Sequence, residues 1–408
     1  MCLSYHYPPF GGVAVQRMLR FTRYLREQDF HCHVVCAAPP KATSIPLDPQ
    51  LLEAIPPDVK VTRLSSFEPE CFVNSWSLPW DKIRRNLFKT FAGVLIPDDQ
   101  ALWIERAARA TVRQAREQGA QVLLATGPPF STLMAGIRAG QQCGLPVVVD
   151  YRDDWTGVRR SQNLYSAQRQ QHEEKLEQEV LSQARAVITV TPTLVEDLKA
   201  RSPHPERVHL LFNGFDPDHF PSPASGWGDA TIFSAGSLYK KREPDGFVQA
   251  WQAFRQQCPQ SRLRFELAGP VADDCRHYFE PVRTDFAWLG FLPHQEVRRR
   301  LQQASLNLAW LDPTLSGQAY TGKLLEYLGA RRPVLMLGPP QSAAAQLLKD
   351  SGLGFTLECG DVPGILAALQ RLDADQWPCQ PNSPIIEPFD VRQQVAQLAA
   401  ILREATGR

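Results

Sequence analysis

Lys323 and Glu326 are the two residues of this sequence whose type and spacing best suit chemistry. They lie in the segment 321–338, TGKLLEYLGARRPVLMLG, near the start of a predicted short amphipathic helix. The first turn of a helix carries unpaired N–H groups and partial positive charge, so it suits a phosphate. Lys323 would add a point charge there, and Glu326, one turn on, could accept hydrogen bonds from sugar hydroxyls. Taken alone, the segment fits an ordinary surface helix equally well.

A second candidate is the loop 7–12, YPPFGG, with Arg17 a turn later. The paired glycines Gly11 and Gly12 let the backbone approach a bound group closely, and the helix predicted after them would point its N-terminus at that group. A plain loop is the alternative, because a lone Gly-Gly turn is a weak signal.

A third candidate is the charged segment 150–155, DYRDDW, which directly follows an apolar run. Arg152 and Asp153 are its candidate functional residues. Charges placed straight after a buried strand form either a salt-bridge cluster at the strand end or a functional site, and the sequence leaves both interpretations open.

A fourth candidate is the segment 236–244, GSLYKKREP, which follows another apolar run. Gly236 opens a turn of small residues, and Lys241 and Arg242 belong to three successive cations. Such a turn suits a diphosphate, although a solvated run of charge is the alternative.

Strand-like and helix-like segments alternate along the chain and must position these residues. Apolar runs bounded by Pro and Gly predict buried strands at 33–37, 121–126, 146–150, 187–190, 208–212, 232–235, 264–268, 287–289, 306–309 and 334–337. Residues 1–5 form only a short first strand, which we expect to be truncated. Repeated strand–helix–strand units predict an α/β fold of two doubly wound Rossmann-like domains.

The two domains are separated by a segment rich in Pro, Gly, Ser and Asp. We predict a first domain at 1–213, a linker at 214–229, a second domain at 230–386, and a C-terminal segment at 387–408. The last segment contains a predicted helix at about 391–404. Doubly wound domains bind ligands at the carboxyl ends of their strands, where all four candidate segments fall.

The composition excludes several classes of protein. The formal net charge of +1 provides no basic footprint for nucleic acid. The nine cysteines include no CxxC pair, which favours free thiols in a reducing cytosol over disulfides or zinc. No apolar stretch approaches the ~20 residues of a membrane span, and no signal peptide opens the sequence.

The motifs and their order resemble those of the retaining glycosyltransferases of family 4, which have the GT-B fold. The matching segments are YPPFGG, ATGPPFSTL, VVDYRDDW, LLFNGFD, SAGSLYKKREP and TGKLLEYLGARRPVL. The resemblance implies two Rossmann-like domains facing across a cleft, with the donor on the second. It implies transfer of a sugar from a nucleotide-sugar donor to a glycan or lipid-linked acceptor. The donor-binding residues it implies are Gly11, Gly12, Gly236, Lys241, Arg242, Gln318, Lys323, Leu324 and Glu326.

Three positions depart from the family pattern. Arg152 stands where many members carry histidine, Phe130 stands where one subgroup often carries histidine, and Gln318 stands where an acidic residue is common. Arginine stays protonated and cannot act as a base. In the front-face mechanism proposed for the family, the leaving phosphate takes the acceptor proton, and the enzyme positions groups and stabilises charge. Arg152 and Asp153 are then the candidate catalytic residues, with Asp153 orienting the acceptor or acting as an auxiliary base.

Two alternatives to transfer remain open. A catalytically idle GT-B protein acting as a partner or scaffold would explain the three departures. A GT-B nucleotide-sugar epimerase would need further carboxylates and histidines, yet most of the nine histidines lie outside the motifs.

We expect no metal and no cofactor, since the nucleotide-sugar is a substrate. The segment 216–218, Asp-Pro-Asp, imitates the DxD metal motif of the other large glycosyltransferase fold. It falls in the predicted linker, where two carboxylates around a proline are typical of a turn.

The segment from Asp81 to Ile96 carries a separate signal. Its apolar residues fall at helical spacing on one face, while cations lie elsewhere, and two tryptophans precede it. This pattern suits a helix in the interface of an anionic membrane, although a helix covering the domain core is the commoner explanation. With a lipid-linked acceptor, it predicts a cytoplasmic protein in peripheral contact with the inner face of the membrane.

Overall fold

The computed structural model describes residues 1–39, 47–66, 95–157, 166–220, 228–239, 244–282, 286–311, 320 and 322–407. The chain divides into two compact units. Unit 1 contains Met1–Phe212 and Gln394–Arg408, and unit 2 contains Asn213–Gln393. The first domain was predicted to end at 213 and the C-terminal segment to begin at 387.

Within the described residues, unit 1 contains a sheet of seven parallel strands. In chain order these are β1 Cys2–Ser4, β2 His33–Ala37, β3 Lys60–Leu64, β4 Leu123–Gly127, β5 Val147–Tyr151, β6 Ala186–Thr189 and β7 Val208–Leu210. Their order across the sheet is β3-β2-β1-β4-β5-β6-β7. The order in which the chain adds strands reverses between β1 and β4, and doubly wound sheets bind ligands at such a switch point.

Helices cover this sheet because its inner strands are mostly apolar. Every residue of β2, β4 and β5 is buried, as expected for parallel strands covered on both faces. The longer helices of unit 1 are α1 Val13–Tyr24, α2 Ile104–Glu117, α3 Phe130–Cys143, α4 Ala167–Gln183 and α5 Pro192–Arg201.

Unit 2 repeats the arrangement with six parallel strands among its described residues. They are β8 Thr231–Ala235, β9 Arg264–Ala268, β10 Phe286–Gly290, β11 Leu306–Trp310, β12 Val334–Leu337 and β13 Gly354–Leu357, in the order β10-β9-β8-β11-β12-β13. The helices of eight or more residues are α6 Asp245–Gln257, α7 His294–Gln303, α8 Gly322–Ala330, α9 Ala343–Asp350 and α10 Val362–Asp373. One-turn helices lie at Asp273–Arg276 and Ser383–Ile386. The predicted α/β class is confirmed.

The last helix, α11 Val391–Thr406, begins in unit 2 and ends in unit 1. Arg403 donates a hydrogen bond to the carbonyl of Gln28 at 2.8 Å, and Gln397 donates one to the carbonyl of Leu210 at 2.9 Å. Leu398 is fully buried. The C-terminal half of this helix is therefore part of unit 1. No helix among the described residues is both long and apolar enough to span a bilayer.

Candidate functional site

Three glycines occupy the carboxyl ends of adjacent strands in unit 2. Gly236 follows β8, Gly269 follows β9, and Gly290 ends β10, with φ angles of +113°, +118° and +65°. The N–H of Gly236 donates to the carbonyl of Ala268, and that of Gly269 donates to Gly290, each at 2.7 Å. These left-handed backbone conformations favour glycine, and they leave the strand ends free of side chains.

Lys323 lies directly over this glycine surface. A β-carbon built on Gly236 would stand 1.9 Å from the Lys323 Nζ, and one on Gly269 would stand 2.7 Å from the backbone of Gly236. Lys323 is also the second residue of α8, and Glu326, half-buried, follows one turn later. The structure therefore brings together Gly236, Lys323 and a helix N-terminus, a combination that suits an anion. Leu324 is buried beneath them.

Two aromatic residues that the sequence analysis did not select lie beside the glycines. The indole N–H of Trp288 donates to the carbonyl of Gly269 at 2.9 Å, and the Arg276 guanidinium lies 5.0 Å from the Trp288 ring centre. Phe291, just after β10, is 86% exposed. Trp288 stands in a strand and so resembled core in the sequence. The segment GFLP gave no signal either, because only the fold shows Phe291 to be exposed.

Several predicted residues lie outside the described part of the chain. They include the donor-binding candidates Lys241, Arg242 and Gln318, and the segment 81–94 of the predicted amphipathic helix. Their assignments stay predictions.

In unit 1, Arg17 and Asp150 form a buried ion pair at the carboxyl ends of the strands. Arg17 Nε and Nη2 donate to the two Asp150 oxygens at 3.1 and 2.9 Å. The same guanidinium reaches the carbonyls of Leu211 and Phe212, and Thr126 donates to Asp150 at 2.8 Å. For Asp150, the salt-bridge interpretation of the charged segment therefore holds. The pair joins α1 to β4, β5 and the end of β7.

The Gly11–Gly12 loop leads into α1 close to this pair. Gly12 is the N-cap of α1, with φ +90°, and a β-carbon there would meet nothing within 4 Å. The positive φ requires glycine, and the open space beside it leaves room for a bound group.

Arg152 and Asp153 differ in how the fold holds them. Arg152 donates from Nε to the carbonyl of Gly127 at 3.2 Å and from Nη2 to that of Pro128. Burial lowers the pKa of the Arg152 guanidinium, against the opposing effect of Asp150 and Asp153. Asp153 is exposed, yet the surrounding protein partly desolvates its carboxyl and raises its pKa, while Arg152 opposes this. Asp153 is thus the residue of this pair that faces solvent.

His6 is a further residue of this region that the sequence analysis missed. Its ring packs edge-on against Tyr5 and Phe10, with centroids 5.0 and 5.3 Å apart. Burial, reinforced by the positive charge of Arg152, lowers the His6 pKa to about 4, so the imidazole is neutral at pH 7. Its buried Nε2 has no hydrogen-bond partner among the described residues. The position directly before YPPFGG at the end of β1 was the available signal.

Phe130, where the resemblance led us to look for histidine, has a packing role. Its ring stacks on Trp155 with centroids 4.8 Å apart and planes 5° apart, and both side chains are buried. Asp98 accepts hydrogen bonds from the N–H and hydroxyl of Ser131, at 3.0 and 2.5 Å, in the first turn of α3. A carboxylate of the protein itself therefore occupies this helix N-terminus.

The Asp216–Asp218 carboxylates are engaged in local contacts. Asp216 accepts from the N–H of Asp218 at 3.0 Å, and Asp218 pairs with Arg392 at 2.7 Å. Within the described ranges, no three His, Cys, Asp or Glu side chains converge as metal ligands.

Comparison with known proteins identifies the family and the fold of this chain. Residues 11–214, half of the chain, match the family model described as a glycosyl transferase 4-like domain. No curated protein sequence matches the chain. Sucrose-phosphate synthase from Thermosynechococcus elongatus is similar at a TM-score of 0.61 and 15% identity, covering 99% of this chain and 98% of that one.

Two further solved structures extend the comparison. HepE from Anabaena, in complex with UDP, gives a TM-score of 0.59 and 14% identity, with 99% of each chain covered. A Listeria monocytogenes structure described as a UDP-N-acetylglucosamine 2-epimerase gives 0.59 and 11%, covering 99% of this chain and 95% of that one. At such identities these likenesses show the fold, and the predicted GT-B fold is confirmed.

Proposed function

We propose that this chain, which belongs to the glycosyl transferase 4-like family, moves a sugar from a nucleotide-sugar donor to a glycan or lipid-linked acceptor. The anomeric configuration is retained, and the sugar is a hexose. The family membership makes the protein a glycosyltransferase, and the nature of donor, acceptor and product is our proposal.

The contact between Lys323 and Gly236 carries the donor assignment. Together with the start of α8, it offers an ammonium group and backbone N–H groups to a diphosphate. The resemblance adds Arg242, or Lys241 as its substitute, to the same phosphates. It assigns Glu326 to the ribose hydroxyls. Because the similar HepE structure contains UDP, a uridine diphosphate sugar is the first donor to test.

Positioning and charge stabilisation are the chemistry we assign to the site. The leaving diphosphate accepts the proton of the attacking hydroxyl, so no strong protein base is needed, and Lys323 stabilises the negative charge that develops. Asp153 orients the acceptor hydroxyl, and Arg152 holds the backbone beside it. No metal and no cofactor take part in this scheme.

Nucleotide and nucleotide-sugar binding tests the proposal directly. A ligand at ~100 times its dissociation constant stabilises the folded protein by about 2.7 kcal/mol, so a thermal-shift panel identifies the donor. Incubation of that donor with lipid-linked and free glycans then shows the reaction by mass spectrometry. A product whose mass contains both the donor sugar and the acceptor supports transfer.

Two other results would support the alternative functions. Binding of nucleotide-sugars with no product from any acceptor favours the idle partner protein. Conversion of the donor into its epimer favours the epimerase, and the Listeria monocytogenes structure described as such an enzyme has a similar fold. Failure of every nucleotide to stabilise the protein contradicts the donor site itself.

We also propose that the acceptor is presented at the inner face of the cytoplasmic membrane, in cell-surface polysaccharide or lipid-linked glycan synthesis. This rests on the pattern of residues 81–96, whose cations and apolar face suit an anionic interface. Sedimentation with anionic liposomes, weakened by salt and by replacing Arg84, Arg85 and Lys89 with glutamine, would support it. Sedimentation that is unaffected by these substitutions contradicts it.

A further inference from the structure

A buried ionic network lies beneath the loop that follows β5. We define the loop clamp as Asp154, Thr156, Glu177 and Arg201. Arg201, the last residue of α5, reaches Asp154 Oδ1 at 2.7 Å, Thr156 Oγ1 at 3.0 Å and Glu177 Oε2 at 3.5 Å. Thr156 also donates to Glu177 at 2.6 Å. The loop clamp thus ties the loop to two helices, α4 and α5.

A second set of contacts holds the middle of the same loop. The indole N–H of Trp155 donates to Glu173 at 3.3 Å, and Glu173 pairs with Arg169 at 2.8 Å. The Trp155 ring also stacks on the ring of Phe130. The start of the loop is fixed as well, since Arg152 donates from its backbone N–H to the carbonyl of Gly127 at 2.9 Å.

One residue of this segment differs from its neighbours in exposure. Asp153 is exposed, whereas Arg152 and Asp154 are half-buried and Trp155 and Thr156 are buried. The anchored residues on both sides of Asp153 leave its carboxylate as the group presented outward.

The loop clamp contributes little net stability to the fold. Glu177 is 1% exposed, and desolvating a carboxylate costs several kcal/mol that its ion pair only partly returns. Apolar residues of similar volume would hold α4 against α5 at least as well. Charged groups differ from apolar ones in geometric specificity, because Arg201 contacts three different acceptors at fixed positions.

We propose that Arg201, Glu177 and Asp154 are positioning residues that fix the loop carrying Arg152 and Asp153 for sugar transfer. The inference rests on the proposed function, which gives Asp153 its role toward the acceptor. The three residues act through the loop and touch neither donor nor acceptor. They lie in unit 1, whereas the donor surface of Gly236 and Lys323 lies in unit 2.

The test compares Arg201→Gln with Arg201→Lys and with the control Arg138→Gln, which removes an exposed ion pair with Glu105 elsewhere in unit 1. We expect Arg201→Gln to lower kcat by about 10–100-fold, because small displacements of positioned groups have effects of this size. Nucleotide affinity, measured by calorimetry with UDP, should stay within about two-fold of wild type, as for an ordinary surface substitution. Arg201→Lys, which keeps the charge but lacks the planar fork whose separate nitrogens reach the different acceptors, should recover part of kcat.

If Arg201→Gln does not fold, Asp154→Asn tests the positioning role instead. Asparagine keeps the oxygen that accepts from the Gly157 N–H at 3.3 Å and loses only the charge that pairs with Arg201. A kcat equal to that of Arg138→Gln in a folded Arg201→Gln or Asp154→Asn variant overturns the inference. So does a loss of UDP affinity that parallels the loss of kcat. Failure of the proposed function looks different, because wild type itself would then form no product.

Discussion

At the scale of single residues, the proposed donor surface of Gly236 and Lys323 depends on the absence of a side chain. Gly236 brings the backbone so close to Lys323 that a β-carbon would overlap the ammonium group, and its φ of +113° is strained for any other residue. Glycine therefore does two things here. It permits the turn at the end of β8, and it leaves the space that the lysine occupies.

We predict that Gly236→Ala weakens nucleotide-sugar binding by displacing Lys323. Lys323→Ala and Glu326→Ala should weaken it as well, each by roughly 1.5–3 kcal/mol, the size of a lost charge-assisted hydrogen bond. Calorimetric titration measures the effect. Gly360→Ala is the matched control, because Gly360 is exposed and a β-carbon there meets nothing within 4 Å. Unchanged affinity in all three variants would remove the donor site from this surface.

Glu177 gives a second prediction at this scale. Burial, opposed by Arg201 and by the hydrogen bond from Thr156, raises the Glu177 pKa from 4.5 to about 6. Asp154 and Tyr151 are the other titratable groups near it. A carboxyl with a raised folded-state pKa contributes nothing below the unfolded pKa and destabilises the fold as pH rises through 4.5 to 6. At pH 7 the cost is about 2 kcal/mol, at about 1.4 kcal/mol per pKa unit.

Glu177→Gln should therefore gain stability relative to wild type as pH rises. Urea denaturation at pH 4 and at pH 7 measures this, with the difference in unfolding free energy growing by up to about 2 kcal/mol. Gain of stability together with loss of transfer would show that the carboxylate is kept for activity. A difference that does not change with pH would show that Glu177 keeps an ordinary pKa in the fold.

At the scale of elements, strands were the part that the sequence predicted best. Apolar runs such as HVVCA and PVVVD fit strands buried on both faces, and the structure contains them as β2 and β5. The placement of Lys323 at a helix start was also readable, because it depends on local order along the chain. The contact of Lys323 with Gly236 was not, since it joins residues far apart in sequence.

For several residues, the composition of the element gave the wrong expectation of burial. Helix α4 is polar almost throughout, so Glu173 and Glu177 resembled a solvated face, and only the fold shows both to be buried. Trp288 and Phe291 resembled core in an apolar segment, and only the fold shows them to be exposed. His6 carried a weak signal because its pKa is lowered first by burial and then by the charge of Arg152, and both depend on the fold.

Helix α11 carries the prediction at this scale. We expect Leu398→Ala to destabilise unit 1 by about 2–5 kcal/mol, since it removes a fully buried side chain. Gln397→Ala, which loses one exposed hydrogen bond, is the neighbouring control. Hydrogen exchange followed by peptide should show faster exchange within 1–212 and little change within 213–393. Equal effects of the two substitutions would mean that this helix is not part of the unit 1 core.

At the scale of the whole molecule, the fold says less about the reaction than the strand ends do. Sucrose-phosphate synthase and a UDP-N-acetylglucosamine 2-epimerase are both similar to this chain over 99% of its length. A shared fold can host different chemistry, so the donor, acceptor and product must be argued from particular groups. In this chain those groups are an ammonium over glycine backbone in unit 2 and an anchored loop presenting Asp153 in unit 1.

The same groups lead to our prediction on metal dependence. In the proposed donor site, Lys323 and Arg242 would face the diphosphate with positive charge, which would remove the electrostatic need for a divalent ion. The two carboxylates of the Asp216–Asp218 turn already have partners, namely a backbone N–H and Arg392. Transfer should therefore proceed at an unchanged rate after prolonged treatment with a chelator. Complete loss of transfer, restored by manganese, would contradict this.

Retention of configuration is measured in the same reaction. In the proposed mechanism the leaving diphosphate takes the acceptor proton, so the hydroxyl would attack from the face that the diphosphate leaves and the product would keep the donor's anomeric configuration. The anomeric proton coupling in an NMR spectrum of the product distinguishes the two outcomes. An inverted product would require a protein base on the opposite face. The exposed Asp153 would then be the first residue to replace, and loss of transfer in Asp153→Asn would identify it as that base.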